Sequence, residues 1–281
     1  GSEMCIRDRK GRKCLGSTAL SSHEHVGMPL PPWLAVVAGL VVILLFLPIL
    51  GLCSSVPWMS LGRLLFSDSS LIALWLSIRT AAAATILSIS LGLPLATLLA
   101  KGKFRGIVVL RTLVLLPLVL PPVVSGLALL EAFGKHGLVG RPLAAIGIDV
   151  AFSTVAVVIA MTFVSLPFFV LTVTSALESM DPRVEQVAMT LGAPPSRVWW
   201  TVTLPSVRRA VAAGAVLAFA RALGEFGATL TFAGSLPGVT RTLPLEIYLQ
   251  REVNPQVSMA LSLLLMVIAV AVVVGVHGRH R

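Results

Sequence analysis

Charge is in short supply in this chain. Lys, Arg, Asp and Glu together make up 12% of its 281 residues, against roughly 25% in an ordinary soluble domain. Only 12 of those side chains are acidic, against 22 Lys and Arg. So few charges could not cover the apolar surface of a water-soluble chain. With 56% hydrophobic residues and a mean hydropathy of +0.95, the sequence describes an integral membrane protein. Cysteine is scarce too. Cys5, Cys14 and Cys53 are odd in number and show no CxxC or Cys/His ligand spacing, which excludes a disulfide framework and a metal site. His23, His25, His136, His277 and His280 are scattered over tail, loop and terminus with no zinc or proton-relay spacing. No Gly-rich loop ending in GK[ST] occurs anywhere, so the chain has no ATP-binding motif and no cofactor of its own is expected. No Ser/His, HExxH or paired intramembrane Asp arrangement points to an intramembrane enzyme. The net charge of +10 sits in short loops rather than on a basic module, which argues against nucleic-acid binding.

What is present is a series of apolar runs long enough to cross about 30 Å of hydrocarbon at about 1.5 Å per residue. They place six transmembrane helices at about 33–53, 72–100, 107–130, 150–177, 208–233 and 257–276. Residues 1–27 are a basic, small-residue tail without apolar period. Met28 stands directly before the first run and reads as the natural start, with the tail as a cloning or gene-calling extension outside the 28–281 transmembrane domain. The first run is of span length and lacks a small-residue cleavage site, which favours a retained helix over a signal peptide.

Short-loop cations set the orientation. Lys101, Lys103, Arg105, Arg111, Arg183, Arg197, Arg208, Arg209, Arg279 and Arg281 fall on one side; Arg63, Lys135, Arg141, Arg241 and Arg251 fall on the other. Both termini and the 178–207 loop are therefore expected in the cytoplasm.

That loop is the longest polar interruption in the chain. Asp181 followed by Pro182 and Glu185 opens a helix, as an N-cap, a first-turn proline and a first-turn acid. Gly192 closes it, Pro194 and Pro195 prevent continuation, and a second short piece over Ser196–Thr203 leads to Leu204-Pro205. Val187, Ala188 and Leu191 share one face of the first helix. Two readings fit: docking into a groove on a soluble partner, or an interfacial helix pair resting on headgroups.

The spacing here resembles the EAA loop of bacterial ABC importer permeases, E-A-A-three-G-nine-I-x-L-P. Gln186, Val187, Ala188, Gly192, Val202, Leu204 and Pro205 fall on its positions. Gln186 and Val187 replace the family's usual Glu and Ala, and Glu185, one residue early, is a candidate for the same charge role. The resemblance implies that this segment is a coupling helix docking on an ATP-binding subunit. Leu116–Gly126 is similar to the third-helix signature of the oxyanion permeases, and Leu217–Thr229 to their fifth-helix signature. Pro237–Tyr248 is most similar to the molybdate branch, while sulfate permeases share the Gly224–Gly227 segment but fit less well downstream. The family thus implies a type I importer fold and a molybdate or tungstate permease in a bacterial inner membrane, with sulfate/thiosulfate as the alternative cargo. It further implies a homodimer of permeases, two ATPase subunits carrying ATP and Mg²⁺, and an extracytoplasmic oxyanion-binding protein.

Inside the spans, Arg221 and Glu225 are four apart, share a helix face and can pair. Ionisable residues at such depth usually face the bundle interior or a water-filled path. The pair either lends Arg221's positive potential to a dianion's route, with Glu225 holding it in place, or stitches helices together as a neutral unit. Pro117, Pro121 and Pro122 interrupt backbone hydrogen bonding in the third span, which fits either a pathway-lining broken helix or a kinked packing helix. Ser125 and Gly126 follow the kink and offer a hydroxyl and a close approach. A self-contained secondary transporter would be expected to carry an inverted repeat, and no convincing repeat is visible.

Overall fold

A computed structural model describes residues 32–277. The tail at 1–27 and the terminal residues Arg279, His280 and Arg281 lie outside the described residues. Chain contacts divide the protein into a unit of residues 1–49 and a unit of residues 50–281. The first unit consists, where described, of most of helix α1 (Pro32–Ser55), whose side chains from Trp33 to Ile49 are exposed and almost entirely apolar. That is the composition of a lipid-facing helix.

The second unit is also all helical among its described residues. A short α2 (Leu61–Leu65) precedes α3 (Asp68–Lys101), a helix of 34 residues. After α4 (Ile107–Val119), α5 (Pro122–Phe133) and the short α6 (Gly140–Ala145) comes α7 (Thr154–Glu178). The polar loop holds α8 (Pro182–Thr190) and α9 (Pro195–Val198), and a π-helical turn at Trp199–Thr203 then leads into α10 (Leu204–Leu223). The chain finishes with α11 (Gly227–Ala233), α12 (Leu243–Val253) and α13 (Pro255–His277).

The core is the mutual packing of α3, α7 and α10. Association of helices in lipid depends on close backbone approach rather than on burying oil from water, so small residues dominate the contacts. Ala81 and Ala84 of α3, Ala156 and Ala160 of α7, and Ala218 and Ala222 of α10 are fully buried. Phe169 of α7 fills the space left by two glycines on its neighbours. A Cβ at Gly92 would come within 2.6 Å of its ring, and one at Gly214 within 3.2 Å. Ser88 and Ser165 share a hydrogen bond of 3.2 Å across α3 and α7, satisfying two hydroxyls that lipid could not.

Two of the six expected spans take another form. The third, expected as one run over 107–130, is a broken pair: α4 and α5 meet at 118°. Pro121 and Pro122 cause it, because neither donates an N–H and each pushes the preceding residue to extended backbone. Leu120 and Pro121 are accordingly extended, and Pro122 becomes the first residue of the next helix. The fifth, expected over 208–233, starts earlier and stops sooner. Pro195–Leu223 is one continuous helical stretch of 29 residues, so Ser196–Thr203 is not a separate piece but its first turns. The stretch ends at Gly224, and α11 is a separate short helix.

Candidate functional site

Two clusters contain the residues singled out from the sequence. The first is the polar loop. Asp181 caps α8 as its local pattern requires, its Oδ1 accepting the Arg183 N–H at 2.9 Å, with Pro182 in the first turn. Gly192 ends the helix at φ +86°, a conformation that favours glycine. Val187 and Leu191 are exposed by 58% and 83%, and Gln186 is exposed beside them; Ala188 is half-buried. The loop therefore leaves an apolar face exposed.

Glu185 turns the other way. Its Oε1 accepts from the Lys101 ammonium at the end of α3 and from the Thr203 hydroxyl in the π-helical turn. Partial burial pushes the carboxyl up, but the hydrogen bonds from Lys101 and Thr203 and the charge of Lys101 outweigh it, so its pKa lies below the ordinary value of 4.5. Trp199 adds a second tie to α3, donating its indole N–H to Thr97 Oγ1 at 3.4 Å. The π register has a local cause. Pro205 has no N–H and crowds the carbonyl four residues back, and the Leu204 N–H bonds Trp199 O, five back. Val202 and Leu204 are half-buried beside it and Pro205 is exposed.

The second cluster lies where α5 packs on α11. The approach is glycine-mediated from both sides. A Cβ at Gly227 would sit 2.7 Å from Pro122 Cβ, and one at Gly126 would sit 2.7 Å from the Ala228 carbonyl oxygen. The structure thus brings Pro121, Pro122 and Ser125 from the third span against the start of α11. Ser125 is buried and its hydroxyl has no partner among the described residues.

Arg221 and Glu225 pair at 2.5 Å, as their spacing suggests, but not along one helix. Arg221 belongs to the last turn of α10, and Glu225 follows the break at Gly224. Glu225 is 1% exposed. Its Oε1 accepts the Ala228 N–H at 2.9 Å, so the carboxylate also caps α11. Arg221 retains 29% side-chain exposure and more donors than Glu225 uses.

A second buried carboxylate went unnoticed in the sequence. Glu246 of α12 is 1% exposed, with Arg241 at 3.6 Å and the Gln250 amide donating at 2.7 Å. The available signal was a lone acid inside the apolar run Leu243–Ile247. The partners of Glu185 were also missed. Lys101 ends a charge-free run, and nothing local links it to a residue 84 positions on.

Comparison with known proteins decides the family. The model of the binding-protein-dependent transport system inner membrane component family matches residues 88–280, the stretch that holds both clusters. The chain belongs to that family. Among individual relatives of this inner membrane component, the molybdenum transport system permease protein ModB of Mycobacterium tuberculosis is 53% identical over 255 residues, covering 91% of this chain and 97% of that protein. ModB of Escherichia coli is 42% identical over 186 residues, covering 66% and 81%. Among solved structures, a bacterial ABC transporter importing the acidic polysaccharide alginate superposes with a TM-score of 0.69 at 19% identity, over 88% of this chain and 94% of that one. The protein thus has the fold of an ABC importer permease and is a multi-pass membrane protein.

Proposed function

We propose that this chain is the permease subunit of an ATP-driven importer of molybdate, with tungstate as a related cargo. The observation that carries the reading is its near-full-length likeness to molybdenum permeases, 53% identical over 97% of the relative. Two copies form the pathway in a bacterial inner membrane, with both termini and the α8 loop in the cytoplasm. Two ATPase subunits bind below and hold ATP and Mg²⁺, and an extracytoplasmic binding protein delivers the anion.

In this reading Gln186, Val187, Ala188 and Gly192 form the docking helix, and Val202, Leu204 and Pro205 join it to α10. The exposed apolar side chains of α8 fit helix-in-groove recognition. Closure of the ATPases moves α8 as a rigid body and reorients the pathway. At the α5–α11 cluster, Arg221 supplies positive potential for a dianion that would be costly to strip of water unaided. Glu225, neutralising Arg221 and capping α11, holds the guanidinium in place and keeps the anion from being trapped. Pro121, Pro122 and Ser125 border the same place.

The test is ATP hydrolysis by the reconstituted complex, with the binding protein loaded in turn with molybdate, tungstate and sulfate. Stimulation by molybdate or tungstate alone supports the proposal. Stimulation by sulfate moves the cargo to sulfate/thiosulfate, and failure of any ATPase to associate overturns the importer reading.

A further inference from the structure

The contacts of Glu185 point beyond docking. Its carboxylate oxygen Oε1 is the shared acceptor for two elements that do not otherwise meet in sequence: Lys101, the last residue of α3, and Thr203, in the π-helical turn that starts the α10 stretch. The side chain of Glu185 is 15% exposed and that of Lys101 36%, so the pair is partly withdrawn from water. The carboxyl's depressed pKa agrees with a group held as the anion. The attachment of α8 is otherwise thin. Trp199 donates to Thr97, but that ties the π-helical turn to α3, whose buried Ala96 and Leu99 already share a core cluster with Val207 of α10. The apolar residues of α8 and its C-cap are instead mostly exposed, Val184, Val187, Met189 and Leu191 among them. Nothing apolar of comparable extent fastens α8 to the bundle, and none of its residues is fully buried.

We propose that Glu185 is a positioning residue that clasps α8 to α3 and to the π-helical turn at once, so that displacement of α8 is passed to two core helices together. A charge-assisted hydrogen bond is shorter and roughly twice as strong as a neutral one and is directional. Two such donors on one oxygen make α8, the end of α3 and the start of α10 move as one body. Cut the clasp, and α8 can move with its partner while α3 and α10 lag. ATP is then spent with little anion moved. The π-helical turn is the natural place for the lag, because its wide register has already broken the i→i−4 ladder.

This inference rests on the importer reading for its functional half, so two measurements are paired. In the isolated full chain in detergent, a double-mutant cycle of melting temperature with Glu185→Gln and Lys101→Met reads the contact itself, whatever the chain transports. In proteoliposomes holding the whole complex, labelled molybdate moved per ATP hydrolysed reads the coupling. We expect the cycle to be non-additive, and Glu185→Gln to lower molybdate per ATP about tenfold, the effect of one lost charge-assisted contact on a rate. The reversed pair Glu185→Lys with Lys101→Glu should recover at least half of the loss. The assay runs well below the melting temperature, where a merely structural contact would leave the ratio unchanged. Additive melting effects, an unchanged ratio, or a reversed pair no better than the single variant would each overturn the clasp. Loss of the ATPase from the Glu185→Gln complex would do so too, since Glu185 would then face the partner. A wild-type complex that binds no ATPase overturns the importer reading alone, and the melting cycle still decides the contact.

Discussion

Glu185 and Glu225 are both carboxylates held by one cation and one further donor, yet they are built for different work. Glu225 draws on its neighbourhood: Arg221 four residues back and the Ala228 N–H three residues on, with 1% exposure. Glu185 reaches 84 and 18 residues away, to Lys101 and Thr203, and is only partly buried. A local pair around a buried carboxylate fixes one geometry and is costly to disturb, because Glu225 left alone has no solvent. A long-range, partly exposed pair contributes less to stability but determines which elements move together. The difference separates a rigid crossing at α5–α11 from a transmitting junction at α3–α8–α10.

Substitutions break the comparison in a definite order. Glu225→Ala leaves the partly exposed Arg221 without its partner and α11 without its cap, and should cost about 2–4 kcal/mol, read by thermal unfolding in detergent. The double change of Arg221 and Glu225 to Leu should recover most of that stability, since apolar replacement of a whole buried pair is often neutral, while molybdate uptake stays lost. Uptake by the double variant would reduce the pair to a stitch between helices. Gly126→Ala should cost about 1–3 kcal/mol, because its Cβ meets the Ala228 carbonyl oxygen at 2.7 Å and must push α5 from α11.

At the junction the effects are smaller and depend on pH. Glu185→Gln should cost about 1 kcal/mol, given the exposure of Lys101. The folded pKa of Glu185 lies below its ordinary value of 4.5. The clasp's contribution is therefore fully present above that value and is lost as pH falls through the lower folded one. The stability gap between wild type and Glu185→Gln should close in that acidic window and stay constant near neutrality, read by melting temperature against pH. Smallest of all, Leu191→Ser should shift stability by less than about 0.5 kcal/mol, as an exposed surface change does, yet weaken co-purification with the ATPase. Undiminished co-purification would remove the α8 face from the docking surface.

These two regions also differ in how far they could be read from the residues. At α8 the chemistry is local: Asp181, Pro182 and Gly192 each declare a backbone role, and the helix lies where they put it. The bundle is likewise legible, because charge-free runs in lipid have few alternatives to helix. At the third span the prolines announced a defect but not its size, and 118° makes it a reversal of direction rather than a kink. At Glu225 the spacing was ambiguous. Four residues place a pair on one helix face, but they equally bridge a helix end when a glycine intervenes. The Lys101 contact was invisible for a simpler reason: it depends on tertiary packing, with Glu185 lying 84 residues on. Glu246 differs, since its partners Arg241 and Gln250 are five residues back and four on, and only its burial comes from packing.

The most direct test of the account is uptake of labelled molybdate into proteoliposomes that contain this chain, its ATPase, and trapped ATP, with loaded binding protein outside. ATP-dependent accumulation that excess tungstate suppresses and excess sulfate leaves intact is the result the account predicts. Accumulation that sulfate suppresses equally, or that proceeds without ATP, would contradict it.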